Sequence, residues 1–310
     1  MFEDKFITTA IARSAEKAVD RRKLLGMVGI AGAGAAAATI AGAVPAMAAT
    51  SSAPSDASIL NFALNLEYLE AEFYLRAVTG SGLPANLVGG VGTVGAVSGG
   101  KKVTFATPSI QKYAVEIAAD EKAHVAFLRT ALGSAAVSRP AISLDASFTA
   151  AATAAGLIKP GQTFDAFADE TSFLFAAFIF EDVGVTAYKG AAGLIANKTY
   201  LDAAAGLLSV EAYHAGIVRT TLYAKGVDTS SIYGSIQKIS DARDSLDGST
   251  DLDQGIGTAS VANLVPTDAN ALTYSRTPGQ VLNIAYLNPN AVKKGGFYPN
   301  GVNGVINTSA

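Results

Sequence analysis

The two histidines of this chain each follow a glutamate by three residues. Glu121 precedes His124 and Glu211 precedes His214, a coincidence that composition alone would seldom produce twice. Three residues along an α-helix place two side chains on one face, with Cβ atoms about 5–6 Å apart. A carboxylate and an imidazole at that spacing can bind one metal ion. The repeated motif therefore predicts two helices that present metal ligands to a shared interior.

Four segments have the apolar periodicity of helices that bury one face. We predict these helices over residues 56–78, 108–132, 165–192 and 199–225. Each apolar stripe is interrupted near its middle by ionisable residues: Glu67 and Glu70, Glu121 and His124, Glu181, and Glu211 and His214. A buried carboxylate without a partner costs several kcal/mol or shifts its pKa strongly. We therefore expect the four interruptions to meet, with metal cations between them.

The lengths of the connections predict one topology. The first two helices are joined by the glycine-rich residues 79–106, and the last two are joined tightly around Asn197. About 30 residues in the middle, with a short helix over 145–155, allow two helical hairpins to pack with a crossover. The expected fold is an all-α four-helix bundle over residues 56–225 with a long crossover between helices two and three.

The two ends of the chain differ in composition from the bundle. Residues 1–48 carry Arg21 and Arg22 before an apolar run diluted by Gly and Ala, and end in Ala-Met-Ala, which predicts a twin-arginine-type signal peptide. An uncleaved membrane anchor is the alternative, but this Gly and Ala content suits an anchor poorly. Residues 226–310 are expected to form an irregular extension with one short helix over 279–287. Phe297 and Tyr298 are too apolar for a free tail, so the extension should pack on the bundle or meet another subunit.

Composition excludes several classes of site and partner. The chain has no cysteine, so neither disulfides nor thiolate metal sites are available to it. Its net charge is −3 with no basic stripe, which argues against nucleic acid as a partner. Any metal must be held by oxygen and imidazole nitrogen, and such mixed sites suit iron and manganese alike.

The order of the interruptions resembles that of dimetal carboxylate proteins in the ferritin-like superfamily. Their sites take one Glu from each of two helices and a Glu-x-x-His from each of the other two. The resemblance implies six ligands for two iron or manganese ions per chain: Glu67, Glu121, His124, Glu181, Glu211 and His214. Residues 66–70, 180–184 and 296–301 are similar to an exported bacterial branch that is akin to plant desiccation-related proteins.

The resemblance also implies roles for the individual ligands. Glu121 and Glu211 would bridge the metals, whereas Glu67 and Glu181 would each bind one terminally. Glu70 lies on the same face as Glu67 and would replace or supplement it. Asp120 would hydrogen-bond His214 from the opposite helix, and Asp182 is the weaker candidate to do the same for His124.

Other residues near the predicted ligands have two interpretations each. Tyr74 either hydrogen-bonds a ligand or takes part in redox chemistry, or else it is an ordinary core residue. Gly184 either leaves space above the metals or allows close helix packing. Glu72, Glu116 and Glu170 are expected at the surface or rim.

The function that the resemblance implies is that of an exported oxidoreductase of the ferroxidase or catalase type. It would lie in the periplasm or outside a bacterial cell, without a membrane span after cleavage, and use two metal ions with dioxygen or peroxide to protect against stress. The alternative is a non-enzymatic desiccation-related protein with a structural or vestigial metal site. Either function is compatible with a homo-oligomer.

Overall fold

Four long helices in two antiparallel hairpins form the centre of the computed structural model, which describes residues 54–310. The first hairpin pairs α1 (Asp56–Thr79) with α2 (Pro108–Leu132), and the second pairs α4 (Glu170–Ala192) with α5 (Lys198–Asp228). The short α3 (Ala146–Ala154) lies in the crossover between the hairpins. The predicted all-α bundle with a long crossover is thus confirmed, while the predicted signal peptide lies outside the described residues.

Local sequence signals set the ends of these helices. Ser55 caps α1 by accepting a hydrogen bond from the backbone of Ser58, and Asn197 caps α5 in the same way. Pro108 occupies the first turn of α2, where its missing N–H has no intrahelical partner to lose. Helix α4 begins five residues later than predicted, because Asp169 accepts the backbone N–H of Ser172 and caps the helix there.

A small parallel sheet ties the two long connections together. Strand β1 (Val97–Ser98) lies in the loop between α1 and α2, and β2 (Ile142–Ser143) lies in the crossover. Val97 pairs with Ile142 and Ser98 with Ser143. The loop is therefore fixed to the crossover at this point.

Within the described residues, the C-terminal extension contains one helix more than the sequence predicted. Helix α6 (Ser231–Asp244) follows α5 almost directly and buries Ile232, Ile236 and Ile239. The prediction had this segment as irregular and did not include the helix. A hairpin of β3 (Gly257–Thr258) and β4 (Val261–Ala262) precedes α7 (Pro278–Ala285), whose capping box joins Thr277 to Gln280.

The last residues of the chain lie against the bundle. Phe297 and Tyr298 are buried, and the Tyr298 hydroxyl donates to the backbone carbonyl of Asn65 on α1. The backbone N–H of Asn303 donates to the side-chain oxygen of Asn65. The tail is therefore fixed next to the helix that carries Glu67.

Helix α4 is long and apolar enough to cross a membrane by length and composition alone, among the residues described. However, 83% of its most apolar window is buried inside the protein. That burial is typical of the core helix of a bundle, and it explains the strong apolar character of α4.

Candidate metal centre

The four long helices bring all six predicted ligands into one buried cluster at the middle of the bundle. Two groups of potential ligand atoms form, each with its atoms within 4.8 Å of one another. The first group takes one atom from each of Glu67, Glu121, His124 and Glu211. The second takes one from each of Glu121, Glu181 and His214. Glu121 belongs to both groups and therefore lies between them.

Nδ1 of His124 faces the first group. It lies 3.2 Å from Oε2 of Glu67, 3.6 Å from Oε2 of Glu121 and 3.8 Å from Oε1 of Glu211. Helices α1, α2 and α5 supply these side chains. Because the three carboxylates converge on one ring nitrogen, the group has the donors of a mononuclear half-site.

Nδ1 of His214 faces the second group in the same way. It lies 3.0 Å from Oε1 of Glu121 and 3.8 Å from Oε2 of Glu181. Its other nitrogen, Nε2, lies 3.2 Å from Oδ2 of Asp120 on α2, which is the contact that the sequence predicted. When Nε2 donates to Asp120, the lone pair of Nδ1 is directed into the cluster.

Six buried atoms of this cluster lack a partner in hydrogen-bonding geometry. Neither oxygen of Glu121 or of Glu211 has one, and the same holds for Oε2 of Glu181 and Nδ1 of His214. Buried polar groups in native proteins are nearly always hydrogen-bonded, so such a concentration of unpaired acceptors needs an explanation. Cations satisfy carboxylate oxygens and imidazole nitrogens together, and this donor set suits iron or manganese. The residues present therefore fit two metal ions.

Burial and mutual repulsion disturb the ionisation of the carboxylates. Burial, followed by the charge of Glu121, raises the pKa of Glu67 to about 7, and burial raises the pKa of Glu181 to about 8. Burial also raises the pKa values of Glu70 and Glu211 well above the ordinary value. Without cations, burial therefore favours the protonated form of all four groups.

Glu121 and the two histidines are instead favoured in their charged forms. Burial opposes the ionisation of Glu121, but the adjacent imidazoles of His124 and His214 outweigh it and lower the pKa to about 2. Burial likewise opposes the charged histidines, yet their carboxylate neighbours raise the pKa of His124 to about 11 and of His214 to about 9. In the absence of metal, protons on the histidines partly replace the missing positive charge.

Two tyrosines hold the outer carboxylates by a reciprocal arrangement. Tyr74 of α1 donates its hydroxyl hydrogen to Glu181 of α4, and Tyr188 of α4 donates to Glu67 of α1. Burial and the neighbouring carboxylates raise the pKa of both hydroxyls well above the ordinary value, so both remain protonated donors. Tyr74 therefore hydrogen-bonds a predicted ligand besides packing in the core. The role of Tyr188 was missed, although the signal was present: each tyrosine follows its own helix's glutamate by seven residues.

Gly184 leaves room for two carboxylates. A Cβ at this position would clash with Oε2 of Glu211 and would contact Oε1 of Glu70 at 3.5 Å. The space beside Gly184 is therefore filled by acidic side chains rather than by a close helix backbone. Glu70 joins the cluster as a fifth carboxylate, although it supplies no atom to either ligand group.

Asp182 does not approach His124, so the prediction that it supports this histidine was wrong. Its carboxylate turns away from the cluster to Arg219, at 2.8 Å, and to Arg243, at 3.0 Å. Arg243 and Arg276 both pair with Asp253, and Arg276 also pairs with Asp247. All six side chains are buried. This network fixes α6 and the extension to α4 and α5.

Two more acidic residues lie deeper than predicted. Glu72 is fully buried and accepts hydrogen bonds from Arg76, at 2.9 Å, and from Arg139 in the crossover. Glu170 is buried and accepts from the backbone and hydroxyl of Thr107 and from Lys225. The helical pattern places both off the core stripe, but the connections cover them. Glu116 is exposed, as expected.

Comparisons with known proteins agree with this architecture. A family model described as a ferritin-like domain matches residues 55–224. A ferritin-like catalase from Nesocodon mauritianus is 29% identical over 273 residues, covering 81% of this chain and 85% of that protein. A desiccation-related protein from Craterostigma plantagineum is 32% identical over 249 residues, covering 74% of this chain and 76% of that protein. No solved structure matches significantly. Both alignments are longer than the bundle, so the similarity is not confined to it.

Proposed function

This chain belongs to the ferritin-like domain family, and from that premise we propose that it binds two iron or manganese ions and converts peroxide or dioxygen. The observation that carries the proposal is the convergence of six unpaired buried atoms from Glu121, Glu181, Glu211 and His214. One ion would be held by Glu67, His124 and Glu211, the other by Glu181 and His214, and both by Glu121. Glu211, for which the resemblance implied a bridging role, belongs to the first ligand group only. Bound ions would supply the redox chemistry by accepting and returning electrons.

The reaction that we favour is the disproportionation of hydrogen peroxide. Two molecules of peroxide yield two of water and one of dioxygen, so one peroxide is reduced while the other is oxidised and no outside reductant is needed. The relative named a ferritin-like catalase supports this choice. Oxidation of ferrous iron by either oxidant is the related reaction that the same donor set suits.

The protein's own residues would orient and isolate the reacting centre. Asp120 holds the ring of His214, whereas Tyr74 and Tyr188 hold the outer carboxylates and keep their protons at the hydroxyls. Phe73 packs against Phe173 and Phe180, and Tyr74 packs against both Phe73 and Phe173. This apolar surrounding excludes bulk water, which strengthens the electrostatic interactions inside the site.

We also propose that the protein acts outside the cytoplasm. The twin-arginine-type leader over residues 1–48 supports export to the periplasm or the medium. A protein without cysteine suits an oxidising compartment, since it has no thiol to lose.

Metal content and peroxide consumption test the proposed function together. The purified protein should contain two equivalents of iron or manganese and should release one dioxygen for every two peroxide molecules consumed at an oxygen electrode. Glu121→Gln should lose both metals and activity, whereas Glu116→Gln, an exposed change on the same helix, should keep both. Full metal content without turnover would contradict the enzymatic proposal.

A non-enzymatic role is the second candidate, and the similarity to a desiccation-related protein favours it. The metals would then stabilise the bundle only. Metal removal would lower the unfolding temperature of this protein, and the reloaded protein would recover that temperature yet consume neither peroxide nor ferrous iron.

A further inference from the structure

A second feature of the bundle is an apolar cleft that ends at the carboxylate cluster. It lies between α1, α4 and α7. Leu69, Val183, Val281 and Phe297 are among the buried residues that line it. Leu66 is the only half-buried residue in this lining, so it marks the mouth.

Two of the lining residues, Glu70 and Gly184, lie at the carboxylate cluster. Gly184 is the residue whose missing side chain makes room for Glu211, so the cleft ends beside a predicted metal ligand. Glu70 is 6% exposed, whereas Glu67, Glu121, Glu181 and Glu211 are at most 1% exposed. Of these five carboxylates, Glu70 is therefore the most accessible from outside.

We propose that this cleft is the passage by which dioxygen moves between solvent and the metal cluster. The inference rests on the proposed function, in which dioxygen is either a product of peroxide disproportionation or the oxidant of ferrous iron. The lining is hydrocarbon except for Glu70, so it favours a small apolar molecule and disfavours ions, which would lose their hydration.

The C-terminal extension forms one wall of the proposed passage. Val281 and Ala285 of α7, together with Phe297, close the side of the cleft that α1 and α4 leave open. The backbone N–H of Phe297 donates to the carbonyl of Ala285, which joins the two parts of this wall. The extension thus determines the width of the passage without supplying a ligand.

Xenon tests the passage without any need for metal or turnover. Xenon occupies dry apolar cavities and has a size and polarity similar to those of dioxygen. In crystals under xenon pressure, the wild-type protein should bind xenon between Leu66 and Glu70. Ala285→Phe should exclude it, because the added ring fills the wall, and Val281→Ala should increase its occupancy by widening the cleft. Absence of xenon from the wild-type cleft would overturn the proposal.

A matched variant separates the passage from general effects on the core. Ala155 lines a neighbouring apolar pocket that does not reach the cluster, so Ala155→Phe makes the same change elsewhere. In Fe(II)-loaded protein, Ala285→Phe should slow the absorbance change on mixing with nitric oxide about tenfold, equivalent to about 1.4 kcal/mol on the barrier. Ala155→Phe should leave that rate unchanged. Equal rates for wild type and Ala285→Phe would overturn the passage.

These measurements can refute the passage without refuting the proposed function, and the reverse. A protein that binds xenon in the cleft and reacts quickly with nitric oxide, yet consumes no peroxide, would refute the enzymatic function and keep the passage. A protein that consumes peroxide at the wild-type rate despite Ala285→Phe, with xenon excluded, would refute the passage and keep the function. Val281→Ala covers the case in which Ala285→Phe does not fold.

Discussion

Tyr188 of α4 donates a hydrogen bond to Oε1 of Glu67 on α1, across the centre of the bundle. The other oxygen of Glu67 lies 3.2 Å from Nδ1 of His124. The tyrosine therefore engages one oxygen and leaves the second directed to the ligand group. Because the carboxylate cannot rotate without breaking this bond, Tyr188 sets the position of a predicted ligand.

Removal of the Tyr188 hydroxyl should weaken metal binding in the half-site of His124. Partners of metal ligands typically contribute about 10- to 100-fold to affinity, and we expect a loss in that range for Tyr188→Phe. Titration calorimetry with Mn(II) would measure it. Tyr113→Phe removes a hydroxyl from an exposed position on α2 and should leave the Mn(II) affinity unchanged. Equal affinities for the two variants would show that the hydrogen bond does not position Glu67.

Gly184→Ala should displace Glu211 and reduce metal occupancy. The new methyl group would occupy the position of Oε2 of Glu211, and a packed helix cannot move aside easily. The control is Gly206→Ala on α5, where the added Cβ meets no neighbour. That change should stabilise the helix by up to about 1 kcal/mol. Elemental analysis and urea unfolding of both variants would separate the two effects, and full metal occupancy in Gly184→Ala would contradict the prediction.

The cluster could be predicted from the sequence because a charged side chain that is buried needs a compensating charge nearby. Glutamates on an apolar stripe must meet a compensating charge, so periodicity alone indicated that residues such as Glu67 and Glu181 would meet. The contact between Asp120 and His214 was implied by the resemblance to dimetal carboxylate proteins, because Asp120 directly precedes Glu121.

The remaining features depend on contacts that helix phase does not determine. Glu72 and Glu170 look solvated on a helical wheel, yet Arg139 and Thr107 from the connections bury them. Asp182 follows a ligand directly, but its partners come from α5 and from α6, which was not predicted. Long-range packing of irregular segments decides these cases, and apolar periodicity carries no information about it.

Breaking the buried arginine network should destabilise the protein without changing the ligand set. Arg243→Met leaves the carboxylates of Asp182 and Asp253 short of a buried partner, which typically costs about 3–5 kcal/mol. Chemical denaturation would measure the change. The control is Lys101→Met, which removes an ion pair whose side chains are 62% and 42% exposed and should cost no more than about 1 kcal/mol. Similar losses in the two variants would contradict the assigned role of the network.

The stability of the metal-free protein should depend on pH through the cluster. Glu67 and Glu181 have folded pKa values of about 7 and 8, raised mainly by burial, against about 4.5 for an ordinary Glu. Between pH 4.5 and these folded pKa values of about 7 and 8, the folded state binds more protons than the unfolded state. The free energy of unfolding therefore falls as pH rises through this range. His124 and His214, with pKa values raised to about 11 and 9, add to that fall above pH 6.5. Glu121, with its pKa lowered to about 2, contributes stability that is lost below pH 4.5.

We therefore expect the metal-free protein to be most stable near pH 5 and to lose stability steadily towards pH 8. Metal should reverse the trend, because cations compete with the same protons and bind more tightly as pH rises. Urea unfolding at pH 5, 6, 7 and 8, with chelator and with Mn(II), would measure both curves. Glu181→Gln removes one titrating group and should flatten the metal-free curve. A metal-free protein that gains stability between pH 5 and 8 would mean that these carboxyl groups are already ionised in the folded state, with positive charge supplied by something other than protons on His124 and His214.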